Sequence, residues 1–145
     1  MRRREWRTDR FYSEVLVVTP RAVRLDRLNS GAPFLNTHSD SDLRDVIGSV
    51  VPGTAKLKDG KGIARVRLSN ASGDADIVTK IRDGIIRNVS VEYAIHIVEK
   101  TENEDDDDVW RVLDWEPLEI SAVPIPADAG SQIRKADKAE QSSRR

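Results

Sequence analysis

Cysteine is absent from the 145 residues, which excludes a disulfide framework, a thiolate zinc site and a cysteine nucleophile. Any nucleophile is therefore an oxygen or an amine. Aromatic residues make up only 5% of the chain, and the interior lacks the basic surface interleaved with aromatics that marks a nucleic-acid-binding face. No apolar run approaches the ~20 residues that span a bilayer. The basic start MRRREWR leads into further charge rather than into a signal-peptide core. The chain reads as cytoplasmic, with no membrane partner and nucleic acid disfavoured.

What is present suits one domain with polar ends: 38% hydrophobic and 34% charged residues, with a net charge of −1. That small total conceals segregation. Residues 1–10 hold five arginines against Glu5 and Asp9, a net +3, and residues 134–145 are again +3. Between them, residues 99–108 carry seven acids against Lys100, a net −6. The expected organisation is a basic extension over 1–12, a folded domain over 13–131 with a solvated acidic loop at 101–108, and a charged tail over 132–145.

Short β-branched runs predict a strand-dominated α+β fold. SEVLVVTP (13–20) reads as a first strand stopped by Pro20, and DVIGSVV (45–51) as another, with Gly48 marking a bulge or a close backbone approach. KLKDGKGIARVRLS (56–69) carries a hairpin signal at Asp59-Gly60. SGDADIVTKIRDG (72–84) predicts the one clear helix, with Ser72 or Asp74 as cap, Ile77, Val78 and Ile81 as the apolar stripe and Gly84 as the stop. IIRNVSVEYAIHIVEK (85–100) alternates as a long strand with Ser90 near its start. VWRVLDWEPLEISAVPIP (109–126) resumes strand character, broken by Pro117 and ended by Pro124 and Pro126, which confine it near sheet edges or force a change of direction. The architecture expected is a closed or partly closed antiparallel β-barrel with one or a few peripheral helices.

Two histidines are available as a general base near neutral pH. His96 lies six residues along the strand from Ser90, roughly 20 Å at ~3.3 Å per residue, too far for contact. His38, in PFLNTHSDS (33–41), is free to reach Ser90 from another strand. Spacing alone leaves this pair unproved, because such constellations are recognised by geometry rather than order. Two histidines and an acidic run give no spaced ligand set, and NSGAP and KDGKG lack the glycine spacing of a phosphate loop, so no metal or cofactor is expected.

Four stretches in order, RLNSGAPFLNTHS (27–39), VIGSV (46–50), IRDGIIRNVSVEYAI (81–95) and DWEPLEISAVPIPADAG (114–130), resemble the prohead maturation protease family of tailed bacteriophages over roughly residues 12–130. That family shares its fold with the herpesvirus assemblin proteases. The resemblance implies a serine endopeptidase that cleaves scaffold and major capsid protein segments inside the assembling procapsid, in the host cytoplasm, and leaves a homo-oligomer open. It implies His38 as general base and Ser90 as nucleophile. Glu119 matches the acidic member, with Glu116 and Asp114 as alternatives. Position 92 holds glutamate where the family commonly has a small residue, usually glycine. This departure motivates an alternative, a catalytically inert capsid-assembly or scaffold-binding module on the same fold.

Overall fold

The computed structural model describes residues 1–5, 7 and 10–134. Among these, the strands are β1 (Arg2–Glu5), β2 (Arg10–Leu16), β3 (Pro33–Asn36), β4 (Val46–Val50), β5 (Lys56–Lys58), β6 (Lys61–Ile63), β7 (Val66–Leu68), β8 (Val89–Thr101) and β9 (Asp108–Ala122). Helices are α1 (Asp26–Asn29) and α2 (Ala75–Arg82). The strand-dominated α+β class is what the β-branched runs predict.

The sheet differs from the expected barrel in two ways. Its ladders run β1-β2-β9-β3-β4-β7, with β8 on the other edge of β9, and the path does not return on itself. Nor is it wholly antiparallel, because β2 and β3 both pair with β9 in parallel. The cause is the path of residues 10–36. After β2 pairs Leu16 with Val112, the chain bridges Val23 to Trp115, forms α1, and returns to the same edge of β9 to pair Phe34 with Ile120. One interrupted run of chain thus lines one edge of β9, while β8 lines the other edge from Val89↔Ala122 to Thr101↔Val109.

Pro117 illustrates how a central strand absorbs an apparent breaker. It lies inside the 15-residue β9 rather than ending it. Towards β8 the register slips between Glu92 and Tyr93, so that Glu92 faces Glu119 and Tyr93 faces Pro117. A proline is tolerated at such a bulge because no ladder amide is demanded of it. On the opposite edge, Pro117 falls in the gap between the Val23–Trp115 bridge and the start of β3 pairing at Ile120.

The charged segments expected to be solvated are instead partners. Arg2 donates to Asp107 at 2.6 Å, and Arg10 grips Asp108 with two bonds of 2.9 and 2.8 Å. The basic residues 2–5 and 10–12 therefore belong to the sheet, and Asp108 is buried as the first residue of β9. Behind them Glu14, also buried, takes an ion pair from Arg3 at 3.1 Å and the hydroxyl hydrogen of Tyr93. Arginine suits these positions because its planar fork matches a carboxylate in two places at once. The few aromatics are concentrated here too: Tyr12 stacks on Trp110 at 3.8 Å, Lys100 lies 4.0 Å above the Trp110 ring, and Trp115 donates its indole N–H to Val17. The expected tail beyond residue 134 lies outside the described residues, whereas Gln132 still bridges Asn88.

Helix α2 covers the sheet with Val78 and Ile81 buried, Asp76 in its first turn and Lys80 and Arg82 in its last, matching the helix dipole. Neither Ser72 nor Asp74 caps it by a side-chain bond. Residues Ser72–Asp74 form a 3-10 turn that leads in. Ile81 packs with Phe34, Ile47 and Ala122, a buried cluster beneath the ends of β3, β8 and β9. Gly48 is the close approach foreseen in the sequence, since a Cβ there would lie 2.5 Å from the Arg67 carbonyl oxygen across the β4–β7 ladder.

Gly48→Ala is expected to lower unfolding stability by about 1–3 kcal/mol, measured by urea denaturation, because the obstructing atom is backbone rather than a flexible side chain. A second outcome concerns alkaline pH. Burial, then the hydrogen bond to Glu14 and its negative charge, push Tyr93 up to about 12. A raised folded-state value means the stabilisation is fully present below the ordinary tyrosine value near 10 and is lost between there and about 12. Tyr93→Phe should flatten that part of the stability-versus-pH curve relative to the parent protein.

Candidate active site

The site begins where β3 ends. Thr37 and His38 have φ of 50° and 58°, two successive residues in the left-handed region. Non-glycine residues rarely occupy it, and a β-branched threonine does so at a cost of order 1–3 kcal/mol. The turn persists because its backbone is tied to β9 and to itself: Thr37 N–H donates to the Ala122 carbonyl at 2.9 Å, His38 N–H to Ser121 Oγ at 3.0 Å, and Ser39 N–H to the Asn36 carbonyl at 3.0 Å. These bonds fold His38 back over the strand that β3 has just left.

On β9, Glu119 and Ser121 are two residues apart and so share a face, opposite the face that sends Ile120 and Ala122 to the core cluster. Directly across the ladder from them stand Glu92 and Ser90 of β8. Two adjacent cross-strand pairs thus place two carboxylates and two hydroxyls side by side under the imidazole. The Glu119 carboxylate contacts His38 Nδ1 through Oε1 and accepts the Ser121 hydroxyl through Oε2 at 2.7 Å. Glu119 and Ser121 are buried, whereas His38 is half-buried. Glu92 is different: its side chain is 59% exposed and its Oε2 lies 4.0 Å from His38 Nδ1, beyond hydrogen-bond distance.

Ser90 and His38 line one open cavity of about 400 Å3, with Thr37 on one side and Val123, Pro124, Ile125, Pro126 and Ala127 on the other. The apolar wall is pinned. Val123 N–H donates to the Asn88 carbonyl at 3.0 Å, and the Asn88 side chain donates to the Pro124 carbonyl at 3.1 Å. Further on, Val89 N–H donates to the Ser131 carbonyl and Ile133 N–H to the Arg87 carbonyl.

Of the residues singled out from sequence, His38 and Glu119 are in contact, and Ser90 lines the same cavity as His38. The alternative acids are occupied elsewhere. Asp114 is held by Arg24 through bonds of 2.8 and 2.7 Å, which keep its carboxyl below the usual carboxylate range, and Glu116 lies 3.8 Å from both Arg27 and His96. Sequence reasoning leaves Ser121 without a role, its one signal being the strand parity it shares with Glu119. The wall at 123–127 shows in sequence only as prolines. His38 Nδ1 and the Glu92 and Glu119 carboxylates lie within 4.8 Å of one another, a set that could ligate a cation, although a metal on Nδ1 would displace the bond to Glu119.

The model of the caudovirus prohead serine protease family matches residues 12–145. The chain belongs to that family. It is also 36% identical over 119 residues to the major capsid protein of Halomonas phage phiHAP-1, a match covering 81% of this chain and 19% of that protein. The chain therefore spans about a fifth of the length of this relative. No solved structure matches it significantly. Among the described residues no helix is long and apolar enough to cross a membrane.

Ser121→Ala removes the acceptor for the His38 amide and a donor to Glu119 in a buried setting. A loss of about 1–3 kcal/mol in unfolding free energy is expected, together with broadened His38 imidazole resonances in NMR spectra as the ring loses its anchor.

Proposed function

We propose that this chain is the proteolytic unit of phage capsid maturation, a serine endopeptidase that cleaves scaffold and capsid-protein segments inside the procapsid. The observation that carries the reading is the contact of His38 Nδ1 with Glu119 beside a cavity that Ser90 and His38 line together. Membership of the prohead serine protease family and similarity to a protein named as a phage major capsid protein support the same setting.

Each residue's role follows from its surroundings. A serine hydroxyl is a weak nucleophile until a base takes its proton. With Nδ1 directed at the Glu119 carboxylate, the proton of a neutral imidazole resides on that nitrogen and the Nε2 lone pair is left for Ser90. Glu119 also stabilises the imidazolium that forms as Ser90 attacks the peptide carbonyl. Ser121 fixes the other carboxylate oxygen, so the acid cannot rotate away. The imidazolium then protonates the departing amine, and water, activated by the same histidine, hydrolyses the acyl-enzyme. Substrate enters as an extended segment, the form in which peptides commonly engage strand edges.

A second reading, an inert capsid-assembly or scaffold-binding module, is favoured by Glu92, whose exposed carboxylate stands 4.0 Å from the base in a position the family usually gives to a small residue. One experiment separates the two. Under the protease reading a fluorophosphonate probe labels Ser90, and Ser90→Ala or His38→Ala lowers processing of a co-expressed capsid protein by about 10⁴-fold or more. Labelling undiminished in Ser90→Ala would overturn it, and an unlabelled protein that co-sediments with procapsids would select the module.

A further inference from the structure

Ser90 and Glu92 occupy the same face of β8, two residues and so roughly 7 Å apart. His38 lines one cavity with Ser90 and lies 4.0 Å from Glu92, so the Ser90 hydroxyl stands between two unlike surfaces. Towards Asn88 lies the cavity wall of Val123, Pro124, Ile125, Pro126 and Ala127, none of which carries charge. In the other direction lies the exposed Glu92 carboxylate, which makes no hydrogen bond to His38 Nδ1 4.0 Å away and keeps 59% of its side chain open to solvent. We infer that the site selects an extended peptide with an apolar side chain on one side of the scissile bond and a lysine or arginine on the other, the first seated against the 123–127 wall and the second paired with Glu92. The inference rests on Ser90 being the nucleophile.

Three physical arguments carry it. First, the apolar wall is built before substrate arrives. Two prolines restrict its backbone, and Asn88 holds it by two hydrogen bonds, so an incoming side chain meets a formed surface without an ordering cost. Second, Ile125 is 85% exposed at the rim, an apolar area that a seated side chain would cover. Third, side chains on one face of an extended peptide recur at the ~7 Å spacing of Ser90 and Glu92, so a strand-like segment with its scissile carbonyl at Ser90 brings a side chain on one side of the bond near Glu92 while its other side runs along the wall. Glu92 would repel an acidic side chain there, which gives discrimination by repulsion as well as attraction. In this role the glutamate that departs from the family pattern is a selector of substrate.

The test uses the full chain and a mixed-sequence peptide library, with new termini read by mass spectrometry. In parallel, fluorescence anisotropy follows two labelled peptides, one Leu/Arg and one Leu/Glu around the same central bond, binding to Ser90→Ala protein. Cleavage termini should be enriched in apolar residues on one side and Lys or Arg on the other. Glu92→Lys should shift the ratio of basic to acidic substrates cleaved by about tenfold, the scale of removing one exposed ion pair and introducing a repulsion. Ile125→Ser, at an exposed position that does not threaten folding, should weaken the apolar preference and leave the basic preference in place. Termini without basic enrichment, or a ratio unmoved by Glu92→Lys, would overturn the inference while leaving the protease intact. Preferential binding of the Leu/Arg peptide to Ser90→Ala protein, with no cleavage by the parent, would sink the protease reading and with it the scissile-bond assignment, leaving only a peptide-binding surface; the absence of both cleavage and binding would leave not even that.

Discussion

Strand β9 is hydrogen-bonded on both edges, and the arrangement of the molecule depends on it. One edge is taken by β8 along nearly its whole length, the other by β2 and then β3. Double pairing leaves no free backbone groups over the paired positions, so register there is rigid, and a slip of one residue would send every side chain to the wrong face. That rigidity fixes Glu119 opposite Glu92 and Ser121 opposite Ser90. It also explains why the turn after β3 can hold two left-handed residues, since Ala122 and Ser121 of the same strand anchor the Thr37 and His38 amides.

Charge has a structural use at the far end of the same strand pair. A basic run and an acidic run nearly a hundred residues apart in sequence close on one another through Arg2–Asp107 and Arg10–Asp108. Such exposed pairs contribute little singly, but here they flank Glu14, a buried acid that Arg3 and Tyr93 must both satisfy. The N-terminal hairpin is therefore committed to the sheet by chemistry that composition alone reads as two solvated segments. At the candidate-site end the arrangement is reversed: Glu119 is buried and satisfied by His38 and Ser121, and Glu92 is left exposed. One carboxylate is suited to orienting an imidazole and the other to meeting a ligand.

Local patterns in the sequence carry much of the fold. Apolar alternation marks β8, the Asp59-Gly60 pair with its two positive φ values makes the β5–β6 turn, and Gly48 sits where the Arg67 backbone leaves no room for a side chain. Patterns that depend on distant partners misled. Pro117 reads as a break in the strand because nothing local reveals a bulge across from it, and the strand pattern suggests a closed or partly closed barrel because alternation does not say whether neighbouring strands run parallel or where a sheet stops. In the site, the family-like blocks single out His38, Ser90 and, as the first of three candidate acids, Glu119, with Glu116 and Asp114 left as alternatives. Geometry separates them, since Arg24 takes Asp114 and only Glu119 touches His38.

By itself, then, the sequence determined the chemistry available: no thiol, two histidines, a serine early in an alternating strand and an acid late in another, in the order shared by the prohead serine protease family. It determined the extended character of β4 and β8 and the helix α2, because those preferences act over a few residues, but it shows neither β1 nor α1. Tertiary structure alone decided which acid meets His38, that Ser121 bonds both, that residues 123–127 form a wall beside Ser90, and that Glu92 is exposed. Those outcomes hinge on the register of β8 against β9 and on the turn that carries His38 back over it. Both arise from contacts between residues more than eighty positions apart in the case of His38 with Glu119 and Ser121, a range that no local pattern encodes.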